Sequence, residues 1–281
     1  MRFAAVQFDI VWEDKAANHA IIERMLRAAS PAIAPGTFVL LPELGDTGFS
    51  MNLDRIVDGD QSLTWAKGLA RGQGIYVQHG FAQREAAHIP GIAPGSGIEP
   101  MGRNCAAILA PDGSELGIYE KIHPFSYGKE SLHYSGGEHV LLAHCGDAIV
   151  CPMICYDLRF PELWRLAALA GAEVFTIGAN WPAARQHHWR ALVMARAIEN
   201  QAYIVAANRI GSDPHLQYGG GSIIVSPKGD ILAEAVDRAA ILQADLDLEA
   251  LRRWREEFPA LRDVHRDLLG AIEVRSESLP I

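Results

Sequence analysis

The sequence predicts an α/β protein. Short runs of β-branched and aromatic residues recur along the chain, amphipathic helical segments fall between them, and no linker or repeat divides the alternation. The runs Arg2–Phe8, Thr37–Leu41, Ile75–Phe81, Cys105–Leu109 and Ile149–Cys155 read as strands, as do Val174–Gly178, Tyr203–Ala207, Ser222–Val225 and Ala240–Leu246.

The helices follow from spacing and punctuation. In 18–29, Ile21, Ile22, Met25, Leu26 and Ala29 share one face. Pro161 opens 161–170 at a position where a missing N–H costs little, and Gly171 supplies the stop. Further helices are predicted over 186–201 and 248–257, with hairpin turns at Asp112–Gly113 and Lys228–Gly229. The segment 86–102 carries three prolines and four glycines and reads as a long surface loop bordering a pocket. A length of 281 residues admits one large domain or two smaller ones. The missing linker favours one, over 1–262, followed by a tail at 263–281 with little periodicity.

Composition narrows the function. At 49% hydrophobic and 21% charged residues, the chain has material for a sizeable core and is expected to be globular rather than disordered. A formal net charge of −9 with no basic run argues against nucleic acid as a partner. No run has the apolar length of a membrane span, and the first residues lack the h-region of a signal peptide. Four cysteines make no disulfide framework, so a reducing cytoplasm is the expected compartment.

Cys155 ends an apolar strand just before the helix at Pro161, where backbone N–H groups and the helix dipole favour a thiolate. The alternative is one more buried structural cysteine. Amide cleavage through an acyl-enzyme also needs a base and a site for the oxyanion. No histidine stands in a recognisable cysteine-protease context, but Glu43, in Leu40–Leu41–Pro42–Glu43, sits at a strand end where burial could raise its pKa into a useful range. Lys121, after the hairpin strand 117–120, offers a fixed positive charge. On their own, Glu43 reads more readily as a solvated edge charge or helix cap and Lys121 as a surface lysine. Arg196 and Glu199, one helical turn apart, read as a structural ion pair.

Glu43 in LLPELGDTGF, Lys121 in YEKIHPF and Cys155 in MICYDLRFPE, in that order, resemble the nitrilase superfamily of carbon–nitrogen hydrolases. The resemblance continues through ANWPAARQHHW, ARAIENQAYIVAANRIG and GGGSIIVSPKGDIL. It implies a four-layer α-β-β-α sandwich, with Glu43 as general base, Lys121 as stabiliser of the tetrahedral intermediate and Cys155 as nucleophile. It adds the backbone N–H of Tyr156 to the oxyanion hole and Glu130 as a second glutamate. It further implies a homodimer or higher homo-oligomer, with the tail crossing onto a partner subunit, a small-molecule amide as substrate, and neither cofactor nor metal.

Tyr–Asp after the cysteine, instead of the Trp–Glu of true nitrilases, points to amide over nitrile hydrolysis. LHYSGG, ANWPAARQHHW and LRRWREEFPALRD look most like the omega-amidases, which act on 2-oxo dicarboxylic acid monoamides. Such a substrate needs a cation for its carboxylate, and Arg159, Arg185, His187 and His188 are available. Arg159, Trp181, His188 and Phe125 are the candidate substrate-binding residues. The loops 44–49 and 124–127 depart from the branch pattern, which keeps nitriles, N-carbamoyl compounds and other amides open as alternatives.

Rival classes are weaker. His144, Cys145, Cys151 and Cys155 lack the paired spacing of a zinc site, and Cys151 with Cys155 lacks a C-x-x-C redox geometry. The glycines at 219–221 precede a strand and open no helix, so they form no phosphate cradle. A catalytically silent binding scaffold is disfavoured by the presence of all three motif residues.

Overall fold

The computed structural model describes residues 1–57, 59–84 and 101–268. Two six-stranded mixed sheets organise the chain. The first runs in the order β14 (Ala240–Asp245), β1 (Arg2–Gln7), β2 (Phe38–Leu40), β3 (Tyr76–Arg84), β4 (Gly102–Leu109), β5 (Glu115–Glu120). The second runs β13 (Ile231–Glu234), β12 (Ile223–Val225), β9 (Tyr203–Asn208), β8 (Val174–Ala179), β7 (Ala148–Ile154), β6 (Ala143–Cys145). A short ribbon pairs β10 (Ile210–Ser212) with β11 (Gln217–Gly219). Within the sheets, β1, β2 and β3 are mutually parallel, as are β7, β8 and β9.

Side-chain alternation sets the layering. Along β1, Phe3 and Ala5 join Phe38 and Leu40 against Val150, Val174, Val205 and Ile224 of the other sheet. The intervening Ala4 and Val6 face outward, onto Ile22 and Leu26 of α1 (Lys15–Arg27) and Ala66, Leu69 and Ala70 beyond them. The second sheet turns Phe175 and Ile177 onto Trp164 and Ala167 of one helix and Trp189 and Val193 of another. The result is helix, sheet, sheet, helix, as the resemblance implied.

Besides α1, the helices are α2 (Leu53–Ile56), α3 (Gln61–Gln73), α4 (Pro161–Leu169), α5 (Gln186–Glu199) and α6 (Leu248–Glu257). Helix α6 has the bounds predicted for it, capped by the Asp247 carboxylate, which accepts from the Ala250 N–H at 2.8 Å. Helix α1 starts earlier than expected because Asp14 caps it, accepting from the Ala17 N–H. Helix α3 was not foreseen. Gly68, Gly72 and Thr64 lower its propensity, and its buried face is mostly small, with Ser62, Ala66, Leu69 and Ala70. The edge strands β6 and β13 were missed for their brevity.

Among the described residues, no helix is long and apolar enough to cross a membrane. Of the predicted loop at 86–102, residues 86–100 lie outside the described residues, and Gly102 opens β4. The predicted tail likewise lies mostly outside them: only 263–268 are described, where Arg266 donates to the Leu169 carbonyl at 3.1 Å.

The segment that continues β2 is wedged between the sheets. A Cβ on Gly178 of β8 would stand 2.7 Å from the Leu41 carbonyl oxygen and 2.9 Å from the Glu43 nitrogen. One on Gly80 of β3 would stand 2.6 Å from the Leu44 nitrogen. Both contacts are with backbone, which cannot swing away. Gly178→Ala should therefore displace residues 41–43 and cost about 1–3 kcal/mol. Thermal denaturation beside a surface Gly68→Ala control checks this, since a Cβ on Gly68 meets no atom within 4 Å.

Candidate active site

Functional side chains gather where strands end at one edge of the two sheets. Glu43 follows β2, Lys121 follows β5, Cys155 follows β7 and Asn180 follows β8. Each is set by a local backbone device. Leu44, at φ 44°, turns the chain directly after Glu43, and the Gly45 N–H ties that turn to the Gly80 carbonyl at 3.2 Å. The Lys121 N–H donates to the Asn104 carbonyl at 2.8 Å, while its own carbonyl accepts from Gly137 at 2.8 Å.

Cys155 stands at φ 42°, in the left-handed region, between extended Ile154 and the 3-10 turn Cys155–Arg159. Asp157, fully buried, pins this elbow. Its carboxylate accepts from the Tyr119 hydroxyl at 2.8 Å, the His123 N–H at 3.0 Å and the Ile154 N–H at 3.2 Å. Arg196 donates to the Leu158 carbonyl at 2.8 Å and pairs with Glu199 at 2.8 Å, so the predicted ion pair also anchors the turn.

Lys121 is shared by two carboxylates. Its Nζ donates to Glu43 Oε1 at 2.8 Å and to Glu130 Oε2 at 2.8 Å, and all three side chains are buried. Glu130 is no surface charge: it opens a 3-10 turn after Lys129, itself at φ 62°, and accepts from the Phe125 N–H. Two residues that the sequence reading did not single out complete the cluster. Asn104 Nδ2 donates to Glu43 at 2.9 Å and to Glu130 at 2.8 Å. The Asn180 N–H donates to Glu43 Oε2 at 3.0 Å, and its Nδ2 to the Glu43 carbonyl at 2.7 Å. Asn104, next to the apolar run 105–109 of its strand, and another polar residue directly after the strand 174–179 were the available signals.

The electrostatics differ from the expectation in two respects. Burial pushes the Glu43 carboxyl up, but the Lys121 ammonium and the donors around it outweigh burial and hold it below the ordinary range. It is Glu130 that is raised, by burial and by the charge of Glu43, against the pull of Lys121. Burial and then the Glu43 carboxylate push the Cys155 thiol well up, outweighing Lys121. Cys155 thus rests as a neutral thiol, because burial and the neighbouring carboxylate outweigh the turn dipole that would favour a thiolate. Lys121 is raised well above its ordinary value by both carboxylates in spite of burial, so it stays charged.

Cys155 opens onto a cleft, continuous with solvent, lined also by Phe49, Phe125, Tyr156, Arg159, Asn180, Trp181 and Arg185. Of the predicted substrate-binding residues, Arg159, Trp181 and Phe125 line it. His188 does not; it lies behind Arg159, with Nδ1 3.2 Å from the guanidinium. The Tyr156 N–H belongs to the first turn of a 3-10 segment, where N–H groups have no acceptor within the turn. The four cysteines are free and buried.

Comparison with known proteins agrees with this architecture. The sequence profile of the family described as carbon-nitrogen hydrolase matches residues 2–256. The 2-oxoglutaramate amidase of Bacillus subtilis is 32% identical over 269 residues, 94% of this chain and 98% of the relative. Omega-amidase YafV of Escherichia coli is 34% identical over 266 residues, 94% of this chain and 96% of the relative. Among solved structures, a CN-hydrolase superfamily protein of Xanthomonas campestris with an arsenic adduct in its active site superposes with a TM-score of 0.83 at 28% identity, covering 94% of this chain and 97% of that one. Nit3 of Saccharomyces cerevisiae, of branch 10 of the nitrilase superfamily, gives 0.77 at 26% identity, covering 92% of this chain and 94% of that one.

Removing the shared cation tests the cluster. In Lys121→Met, Glu43 and Glu130 keep their burial and lose the charge that lowers them, so both carboxyls rise above their unfolded values. A raised carboxyl adds stability below its unfolded pKa and loses it as pH climbs through the folded value. The variant should be about 3–5 kcal/mol less stable than wild type near pH 8, regaining part of that deficit towards pH 5. Urea midpoints across the range measure it, and a pH-independent deficit would contradict the shared-cation geometry.

Proposed function

The chain belongs to the carbon-nitrogen hydrolase family, whose members hydrolyse non-peptide C–N bonds, and from that premise we propose that it is an omega-amidase. Its substrate in this reading is a 2-oxo dicarboxylic acid monoamide, released as the dicarboxylic acid and ammonia. The observation that carries the proposal is the buried Glu43–Lys121–Glu130 cluster beside Cys155, on the floor of a cleft walled by guanidinium groups. The names carried by the relatives at 32% and 34% identity support it.

In the proposed mechanism Glu43, ionised at rest, takes the thiol proton as Cys155 Sγ attacks the amide carbon. The carbonyl oxygen becomes an oxyanion, received by Lys121 Nζ and the Tyr156 N–H. Glu43 returns its proton to the nitrogen as the C–N bond breaks, and ammonia leaves a thioester on Cys155. A water then gives a proton to Glu43 and its oxygen to the acyl carbon. The second tetrahedral intermediate collapses to the free acid, with Sγ recovering the proton from Glu43.

Glu130 and Asn104 act by holding Lys121 and Glu43 in place. Arg159, stacked 4.7 Å from the Trp181 ring centroid, supplies a cation to the substrate carboxylate, and Phe125 closes the opposite wall.

Ammonia release from 2-oxoglutaramate and 2-oxosuccinamate is the test, against glutamine, asparagine, N-carbamoyl compounds and simple nitriles. The oxo-amides should be strongly preferred, with activity falling at least about a thousandfold in Cys155→Ala and Glu43→Gln. Preference for a nitrile or a carbamoyl compound would keep the family chemistry and discard this substrate. Lys121→Arg should also fail, since a guanidinium is larger and aims its donors differently; wild-type turnover in that variant would remove Lys121 from the oxyanion site.

A further inference from the structure

The cleft holds two arginines that face no carboxylate among the protein's described residues. Among the described residues neither Arg159 nor Arg185 is ion-paired, and no carboxylate lines the cleft with them. They are held differently. Arg159 stacks on Trp181 and donates towards His188 Nδ1 at 3.2 Å. Burial, His187 and the two arginines hold His188 below its ordinary value, so it remains a neutral acceptor.

The Arg185 guanidinium lies 5.5 Å from the ring centroids of both Phe125 and Tyr127. Its backbone is fixed at the rim, where its carbonyl accepts from Trp181 Nε1 at 2.8 Å. Arg185 also lines the outer chamber that leads to solvent, alongside Phe49, Phe125 and Leu216, which the two spaces share. The acids of that chamber are already engaged. Glu13 accepts from the Ser50 hydroxyl and pairs with Arg55, while Asp213 accepts from the N–H groups of His215 and Leu216.

We propose that Arg185 determines which amides this cleft accepts: its guanidinium joins Arg159 in holding the carboxylate and keto oxygen of a 2-oxo acid at the mouth, and the pair rejects the corresponding 2-amino acid. A carboxylate and its neighbouring keto oxygen are both acceptors, suited to two guanidinium forks. An ammonium in place of the keto group would face unneutralised cations with no acid to receive it, a like-charge contact that disfavours binding steeply. Positioning between aromatic rings leaves the Arg185 donors free, since stacking uses the face of the guanidinium and not its edge.

This rests on the amide reading above, and the two can fail separately. The experiment compares kcat/KM for 2-oxoglutaramate, glutamine and propionamide in wild type, Arg185→Gln and Arg185→Lys, with calorimetric titration of 2-oxoglutarate into each protein. In Arg185→Gln the ratio of 2-oxoglutaramate over propionamide should fall roughly ten- to a hundredfold through KM, and the discrimination against glutamine should narrow. Arg185→Lys should restore part of the ratio, and 2-oxoglutarate should bind Arg185→Gln about tenfold or more weakly. An unchanged ratio, or an equal loss on both amides, overturns the proposal. Should wild type ignore 2-oxoglutaramate, the substrate reading falls and the titration decides: weaker binding to Arg185→Gln keeps the anion site, and equal binding removes it.

Discussion

One buried ammonium holds this site together. Lys121 lies between Glu43 and Glu130 with all three side chains out of solvent, an arrangement whose desolvation is tolerable only if the hydrogen bonding is nearly complete. Asn104 and Asn180 supply the missing donors, and the surrounding framework follows from their needs. Glycines at 80 and 178 let the backbone of residues 41–44 run between the sheets, so that Glu43 arrives from one sheet while Asn180 and Cys155 arrive from the other. Two packed sheets with parallel central strands place all these strand ends at one edge.

The same constraint sets the resting state of Cys155. A thiol at a turn start could be expected to ionise early, yet here it is buried beside a carboxylate that the lysine keeps charged. A second negative charge at that point is unfavourable. In the proposed mechanism, proton transfer to Glu43 during attack avoids it, because the negative charge passes from the Glu43 carboxylate to sulfur and then to the oxyanion instead of being added beside that carboxylate. In that mechanism the cation that holds Glu43 ionised at rest is also the one that receives the oxyanion, which is preorganisation in the ordinary electrostatic sense.

Much of this was legible in the sequence. The α/β alternation, the strands that end at Glu43 and Cys155, and the helices 161–169 and 248–257 follow from local patterns. The three motif residues could be paired only through the family resemblance, since Glu43 and Lys121 are 78 residues apart and nothing local shows that they touch. What stayed hidden was decided by tertiary context. Helix α3 carries two glycines and buries mostly small residues around Leu69, which weakens its local signal, and Asn104 reads as a stray polar residue until the strands assemble. Whether burial or a neighbouring charge governs Glu43 depends on distances of a few ångströms, and the expectation of a raised carboxyl chose the wrong one of two competing effects. His188 was placed in the cleft because its motif is there, whereas helical geometry turns it behind Arg159.

The account turns on a neutral thiol activated by an ionised Glu43. The most direct test is the rate of Cys155 alkylation by iodoacetamide against pH, in wild type and in Glu43→Gln, with adduct located by mass spectrometry. Wild type should react at a rate nearly flat from about pH 6 to 8, because the carboxylate and not bulk hydroxide removes the proton. Glu43→Gln should react far more slowly over that range. A wild-type rate that climbs about tenfold per pH unit towards the ordinary thiol value, unchanged in Glu43→Gln, would contradict the account.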